Sequence, residues 1–431
     1  MKVKKFTDTF SGIKRWIFLI FLGMILFISG VVFIISDSIG HLNISIPVKI
    51  MLIVVGIVFV SLGSKNALSN ILDVTLKYKN YNSYSRGAIN QMLYMDKIQS
   101  QGPKIVAIGG GTGLSTLLRG LKKRTGNITA IVTVADDGGG SGVLREEMGI
   151  IPPGDIRNCI MALAHAEPSM DKLLNYRFKE GRLKGQSFGN LFIAAMDDIY
   201  GDFNLGVKEM SNVLAVRGNV LPMTKESVKL FAELDDGKVI EGESQIPEIC
   251  HKCGKKISRV YTVPDELEPL QESIEAIEEA DCIVLGPGSL YTSIIPNLLV
   301  EDLVKAIKKS KAKKIYISNI MTQPGETTGY TLTDHINAIE KHAGGKIIDF
   351  VIANNPDAKS YSRRILRNYM KEDSELIDIT DEEKAALEKR GITVYTDSLV
   401  EIRNKNFRHS DKVSDLIMKI YLYHSQKIYE R

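Results

Sequence analysis

A short apolar run that breaks off in a glycine cluster and then turns helical permits few folds. This chain carries one at KIVAIGGGTGLSTLLRGLKK, residues 104–123. Ile105 to Ile108 has the length of a buried strand. Gly109, Gly110, Gly111, Thr112 and Gly113 interrupt it, and the apolar spacing that follows is helical. A second run, ITAIVTVADDGGGSG at 128–142, ends in Asp136 and Asp137. Strand, glycine turn, helix, strand and acid is the order of a nucleotide-binding crossover. Glycines let backbone N–H groups approach a pyrophosphate at a helix N-terminus, and an acid closing the second strand reaches a ribose hydroxyl. The cluster lacks the third glycine of the dinucleotide fingerprint. No Lys-Ser/Thr pair makes it a P-loop, which disfavours a γ-phosphate-cleaving NTPase.

Further strand-like runs follow at 282–286, 314–320, 347–353 and 392–396, several separated by helical patterns such as 298–310. Strands alternating with helices predict an α/β fold with a Rossmann-like, mostly parallel sheet. Residues 155–235 are mainly helical in pattern and predict an insertion capping the open end of that sheet. GKVIEGES and ISRVYTV, within 236–262, predict short antiparallel strands, and 410–428 predicts a closing amphipathic helix.

The N-terminus predicts a membrane anchor, residues 1–63. Trp16 to Ile35 carries no charge and has the length of a bilayer-crossing helix. Ile46 to Gly63 is a second span, with Pro47 in its first turn and Lys49 placed to snorkel toward headgroups. A cleaved signal peptide fits less well, because the run is long and a second span follows closely. Lys2, Lys4, Lys5, Lys14 and Arg15 precede the hairpin; Lys65, Lys77, Lys79 and Arg86 follow it; the loop at 36–43 has neither Lys nor Arg. The positive-inside rule then puts both ends in the cytoplasm: a two-pass membrane protein, a juxtamembrane linker at 64–102 and a cytosolic domain at 103–431.

The 431 residues have a net charge of +4 without a basic run, so nucleic acid is not an expected partner. Cys159, Cys250, Cys253 and Cys282 form no disulfide framework, and a reducing compartment fits them. Structural zinc needs four ligands, and Cys250, Cys253 and His251 supply three at most, so no metal site is expected. No Ser/His/Asp order marks a catalytic centre, and His165, His335 and His342 read as structural.

Other loops carry ligand-binding chemistry. In the Asp136–Asp137 tract, which includes Gly139, the acids are open to ribose binding, Mg²⁺ or general-base chemistry. In GIIPPGDIRN, Asp155 is placed to cap its own helix. Arg157 sits in that helix's first turn, where the macrodipole disfavours a cation, which suggests an anion nearby; Asn158 follows it. Asn190, in SFGN, either donates to a ligand or ends its loop. Gly286, Pro287, Gly288 and Ser289 form a second glycine loop after a strand, Asn319 and Thr322 follow the next strand, and Asn354-Asn355-Pro356 the one after. Five polar strand ends in succession argue for one shared crevice.

IGGGTGLSTLLRGLKK, ITAIVTVADDGG, GIIPPGDIRNCIMALA, SFGNLFIAAM, ADCIVLGPGSLYTSIIPNLLV and SNIMTQPGETTGYT together closely resemble the YvcK-type proteins, also called gluconeogenesis factors or UDP-N-acetylglucosamine-binding proteins, a branch of the CofD superfamily. The resemblance spans roughly 103–415. It implies a UDP-sugar, UDP-N-acetylglucosamine, as ligand of a regulator that links carbon metabolism to cell-wall precursor supply and cell shape. It places Gly110 to Gly113 in the phosphate loop, Asp136 and Asp137 at the acidic position, Asp155 and Arg157 in the PPGDIRN block, and Gly286 to Ser289 in the second loop. The superfamily's other branch, phospholactate transferase, implies the alternative of an Mg²⁺-dependent transferase. A third reading is a membrane scaffold recruiting cytosolic enzymes of precursor synthesis, and a homodimer with the crevice at its interface stays open. The family pattern D-D-G-G-S-S-G has Gly140 here for its first serine, which removes one hydroxyl, and CHKC at 250–253 looks like a local addition.

Overall fold

A computed structural model describes residues 2–37, 45–78, 99–164, 168–355, 367, 369–403 and 406–429. The inter-helix loop at 38–44, most of the linker (79–98), His165 and Pro356 lie outside the described residues. The chain divides into two compact units, Met1–Tyr94 and Met95–Arg431.

The first unit holds two helices, Lys2–Asp37 and Ile46–Tyr78, which contain apolar stretches Arg15–Ile35 and Ile46–Leu68 long enough to cross a membrane. The helices run antiparallel: Gly23 lies against Gly56 and Phe59, Gly30 against Ile53, and Gly63 against Ile20 and Trp16. A Cβ on Gly56 would sit 2.6 Å from the Phe27 nitrogen. Small residues at a helix seam let backbones approach where lipid supplies no hydrophobic drive. Lys49 shares the four-three spacing of Ile53, Gly56 and Gly63, so it faces the first helix. It is 1% exposed, which corrects the snorkelling expectation. In a Gly30→Cys/Ile53→Cys variant, oxidation should cross-link the helices rapidly. Adding Gly56→Leu should slow that reaction at least tenfold, and unchanged cross-linking would refute the glycine seam.

The second unit is built on a seven-stranded parallel sheet: β1 Ile105–Gly109, β2 Ile128–Val132, β3 Asn219–Pro222, β7 Cys282–Leu285, β8 Lys313–Ile317, β9 Phe350–Asn354 and β10 Thr393–Asp397. Its order is β10-β9-β8-β7-β1-β2-β3. Ile105 pairs with Ile128 on one side and Cys282 on the other. Every residue of β1, β7 and β9 is buried, as expected for strands covered on both faces. Each such Ile, Val or Leu contributes roughly 1.5–3 kcal/mol of burial. Connections leave β1 toward β2 and leave β7 toward β8, so the topological switch lies between β1 and β7, where α/β sheets open a crevice beyond the strand ends.

The stretch expected as a helical insertion holds helices Gly154–Leu163, Pro168–Leu174, Phe188–Tyr200 and Phe203–Val213. It also contains β3, the sheet's edge strand, and β4 (Lys229–Leu234). β4 pairs antiparallel with β5 (Val239–Glu241) and β6 (Ile257–Val263). A hairpin of β11 (Val400–Arg403) and β12 (Asn406–His409) leads into the closing helix Lys412–Tyr429. That helix packs on Gly111–Leu121, with an Arg124 Nε–Asp415 ion pair of 2.7 Å at its start.

Candidate ligand crevice at the switch point

Two glycine loops meet where the sheet switches direction. Gly109 ends β1, and helix Gly111–Leu121 follows. Gly286 opens the loop after β7, and a Cβ on Gly109 would lie 3.7 Å from its Cα. A Cβ on Gly113 would lie 2.5 Å from the Pro287 carbonyl oxygen, and one on Gly288 would lie 3.4 Å from that of Gly110. The loops therefore touch backbone to backbone, and Gly113 is glycine because nothing larger fits.

Above them is a cleft of about 490 Å³. Its floor is Gly110, Gly111, Thr112 and Gly113 with Pro287, Gly288 and Ser289; Asn319, Thr322 and Gln323 after β8 form a wall. Gln323 Nε2 donates to Ser289 Oγ at 2.6 Å, and the Glu375 N–H donates to Thr322 Oγ1 at 2.8 Å. Backbone donors at a helix start and short hydroxyl and amide side chains suit phosphate and sugar oxygens.

The acids lie behind this floor. Asp155 was expected to cap its own helix. That helix, Gly154–Leu163, instead has Pro153 at its N-cap and no side-chain cap, and Asp155 Oδ2 accepts from the Gly111 N–H at 2.7 Å. The carboxylate closes the first turn of the neighbouring helix, where its charge meets the positive end of the macrodipole. Gly110 leaves it room, since a Cβ there would come within 2.6 Å of Asp155 Oδ2. Burial, then Asp136, pushes the Asp155 carboxyl up to about 6. Asp136 Oδ1 accepts from Gly138 N at 3.0 Å, with Gly154 close to its other oxygen.

Arg157 does not line this cleft. It donates to Ser187 Oγ and, at 2.8 Å, to Asn158 Oδ1, and the anions beside it are Asp155 and Asp136 of the protein itself. These two carboxylates offset the cost of a cation early in that helix. Asn190 is likewise internal: its N–H donates to Ser187 Oγ, closing that helix start, and its Nδ2 donates to Ser141 Oγ at 3.3 Å. Asp137 diverges from Asp136, as adjacent side chains on extended backbone do. It accepts from Ser244 N at 2.9 Å and faces a separate recess with Arg145 and Lys229. Gly139 begins helix Gly139–Met148 with open space around it. Thus the residues after β1, β7 and β8 line the cleft, while Asp136 joins it only through Asp155. Asn354 of the expected fifth strand end does not line the cleft; its Oδ1 accepts from Leu399 N.

Other residues were missed. Tyr369, Arg408 and His409 line the cleft from the far end of the sequence. β12 packs on helix Gly111–Leu121, and His409 Nε2 is tied to the Ser318 carbonyl at 3.0 Å. Arg408 is the cation among the cleft's described residues. Glu243, between β5 and helix Gln245–Cys253, joins the acids; burial first, then Asp136, Glu326, Asp155 and Asp137, push it up to about 8. FRHS at 407–410 carries no glycine signal, and GES at 242–244 stood out only as the tail of a short antiparallel strand. Among the described residues no cluster of three metal-ligating side chains is present.

A parallel α/β sheet with a glycine-floored crevice at its switch point belongs to the class of open α/β domains that place ligands beyond their strand ends. The model of the CofD family, 2-phospho-L-lactate transferase, matches residues 105–400. A protein of Clostridium acetobutylicum is 48% identical over 410 residues, 94% of this chain and 89% of its own. The gluconeogenesis factor of Bacillus subtilis is 50% identical over 322 residues, 74% of this chain and 98% of its own. A crystal structure of a Bacillus halodurans protein superposes with a TM-score of 0.69 at 48% identity, covering 74% of this chain and 99% of that one. The chain belongs to the CofD family, among its gluconeogenesis-factor relatives.

Proposed function

We propose that the crevice binds a nucleotide diphospho-sugar, UDP-N-acetylglucosamine or a close relative, and that the protein is a regulator which reports the level of that ligand from the cytosolic face of a membrane. One observation carries this reading: two glycine loops in backbone contact at the switch point line one polar cleft. The diphosphate lies on those loops, the hydroxyl and amide side chains of the β8 wall take the sugar, and Arg408 approaches the phosphates from β12. The two apolar N-terminal helices tether the domain, and the relatives' name supports a regulatory role over carbon supply.

Titration calorimetry of the full chain in detergent micelles with UDP-N-acetylglucosamine tests the proposal. Heat of binding at micromolar to sub-millimolar ligand supports it, and silence at millimolar ligand refutes it. Release of a phosphorus product, followed by ³¹P NMR with Mg²⁺ present, would replace the regulator with a transferase. Arg408→Ala should weaken binding ten- to a hundredfold, the loss of a charge-assisted hydrogen bond of about 1.5–3 kcal/mol. Unchanged affinity would remove Arg408 from the site.

A further inference from the structure

The chain contains two proline-glycine-acid turns, Pro153-Gly154-Asp155 and Pro324-Gly325-Glu326. They do the same thing on opposite sides of the switch point. Asp155 accepts from the Gly111 N–H, in the first turn after the first glycine loop. Glu326 accepts from the Tyr291 N–H at 3.1 Å and from Thr292 Oγ1 at 3.2 Å, in the first turn after the second glycine loop. Tyr291 and Thr292 belong to the short helical segment Leu290–Ile294 that begins directly after Ser289.

Glu326 is held from three directions. It is 5% exposed. Gly325 presses on the backbone of helix Gln245–Cys253, with the Pro247 carbonyl standing where a Cβ would be, so the turn cannot back away. The same loop ties to the glycine loop through Gln323 Nε2 and Ser289 Oγ. Glu326 lines the cavity on the far side of the loop, with Cys250 and Tyr330, and is absent from the ligand cleft.

We propose that Glu326 is a positioning residue that braces the second glycine loop from behind, as Asp155 braces the first, so that the affinity of the crevice depends on a carboxyl that never touches the ligand. This rests on the crevice binding a nucleotide-sugar as proposed above. Removing the side chain orphans a buried N–H and frees the turn. An amide in its place still accepts from Tyr291 and can donate to the Thr292 hydroxyl. The brace is therefore geometric, and the isosteric amide rescues it.

Two readouts on the full chain in micelles decide the matter. In hydrogen exchange, Glu326→Ala should speed the peptide spanning 286–295 at least tenfold and leave the peptide spanning 109–116 unchanged. Glu326→Gln should restore slow exchange. Titration with UDP-N-acetylglucosamine should give at least tenfold weaker binding for Glu326→Ala and a value within threefold of the parent for Glu326→Gln. Unchanged exchange at 286–295, or wild-type affinity in a folded Glu326→Ala protein, overturns the brace. So does a Glu326→Gln protein as impaired as Glu326→Ala, since charge would then matter and geometry would not. A parent protein that gives no heat refutes the ligand reading, and the exchange experiment still judges the brace.

Discussion

Gly113→Val should abolish nucleotide-sugar binding and lower the melting temperature of the second unit. The position tolerates no side chain, because a Cβ would lie 2.5 Å from the Pro287 oxygen, 2.9 Å from the Pro287 carbonyl carbon and 3.2 Å from the Gly288 nitrogen. All three are backbone atoms, so no rotamer change relieves the clash. Either helix Gly111–Leu121 shifts or the second glycine loop does, and overpacking of this kind costs about 1–3 kcal/mol. Binding suffers more than stability, because both loops must keep their spacing for one diphosphate to meet both. We expect at least a hundredfold loss of affinity by calorimetry and a melting temperature lower by several degrees by circular dichroism. A Gly113→Val protein that binds UDP-N-acetylglucosamine like the parent would show that the loops do not share a ligand.

Stability should fall between pH 6.5 and 8.5, where most proteins of this size change little. Burial pushes Glu326 from 4.5 to about 7, and Glu243 goes from 4.5 to about 8 through burial and then Asp136. An acid with a raised folded pKa is fully stabilising below its unfolded value and loses that contribution as pH climbs toward the folded one. The unfolded chain has already released both protons by pH 6.5, whereas the folded chain still holds them. Raising pH to 8.5 therefore favours unfolding by roughly 2 kcal/mol. Asp155, raised to about 6, has given up most of its share below this window. His409 works in the other direction, since desolvation depresses its folded value to about 4 and its contribution is lost as pH drops below that of a free imidazole. Across pH 6.5–8.5 the melting temperature should therefore fall. Glu243→Gln with Glu326→Gln should flatten the alkaline arm. A melting temperature that is constant or rising up to pH 8.5 would contradict the buried acids.

Much of the fold was legible in sequence because buried parallel strands leave a local mark. Ile105–Ile108, Cys282–Leu285 and Phe350–Asn354 are short apolar runs closed by glycine or asparagine, and each is a strand of the sheet. β3 was not legible. Asn219–Pro222 is four residues long, sits at the sheet edge and contains a proline, so it carries neither length nor periodicity. Pro222 is tolerated because an edge strand leaves one row of N–H groups without a ladder partner.

The site divides in the same way. Glycines announce themselves, because a loop in backbone contact with its neighbour has no other choice of residue at Gly113. The direction of a carboxylate is not local. Asp155 looked like a cap for its own helix and caps another, and Arg157, whose place suggested an anion nearby, donates to Ser187 and Asn158. Arg408 lies far along the chain from Gly113 and lines the same cleft.

From sequence alone followed the alternating α/β order, the two apolar N-terminal helices and the two glycine loops, since each depends on the size and spacing of residues within one stretch of chain. Only the tertiary structure decided which strands neighbour one another, which helix each buried acid closes, that Asp136 and Asp137 part company, and that β12 brings Arg408 to the crevice. Those outcomes depend on where distant backbone donors and carbonyls come to rest once the core has closed, and no local pattern encodes that.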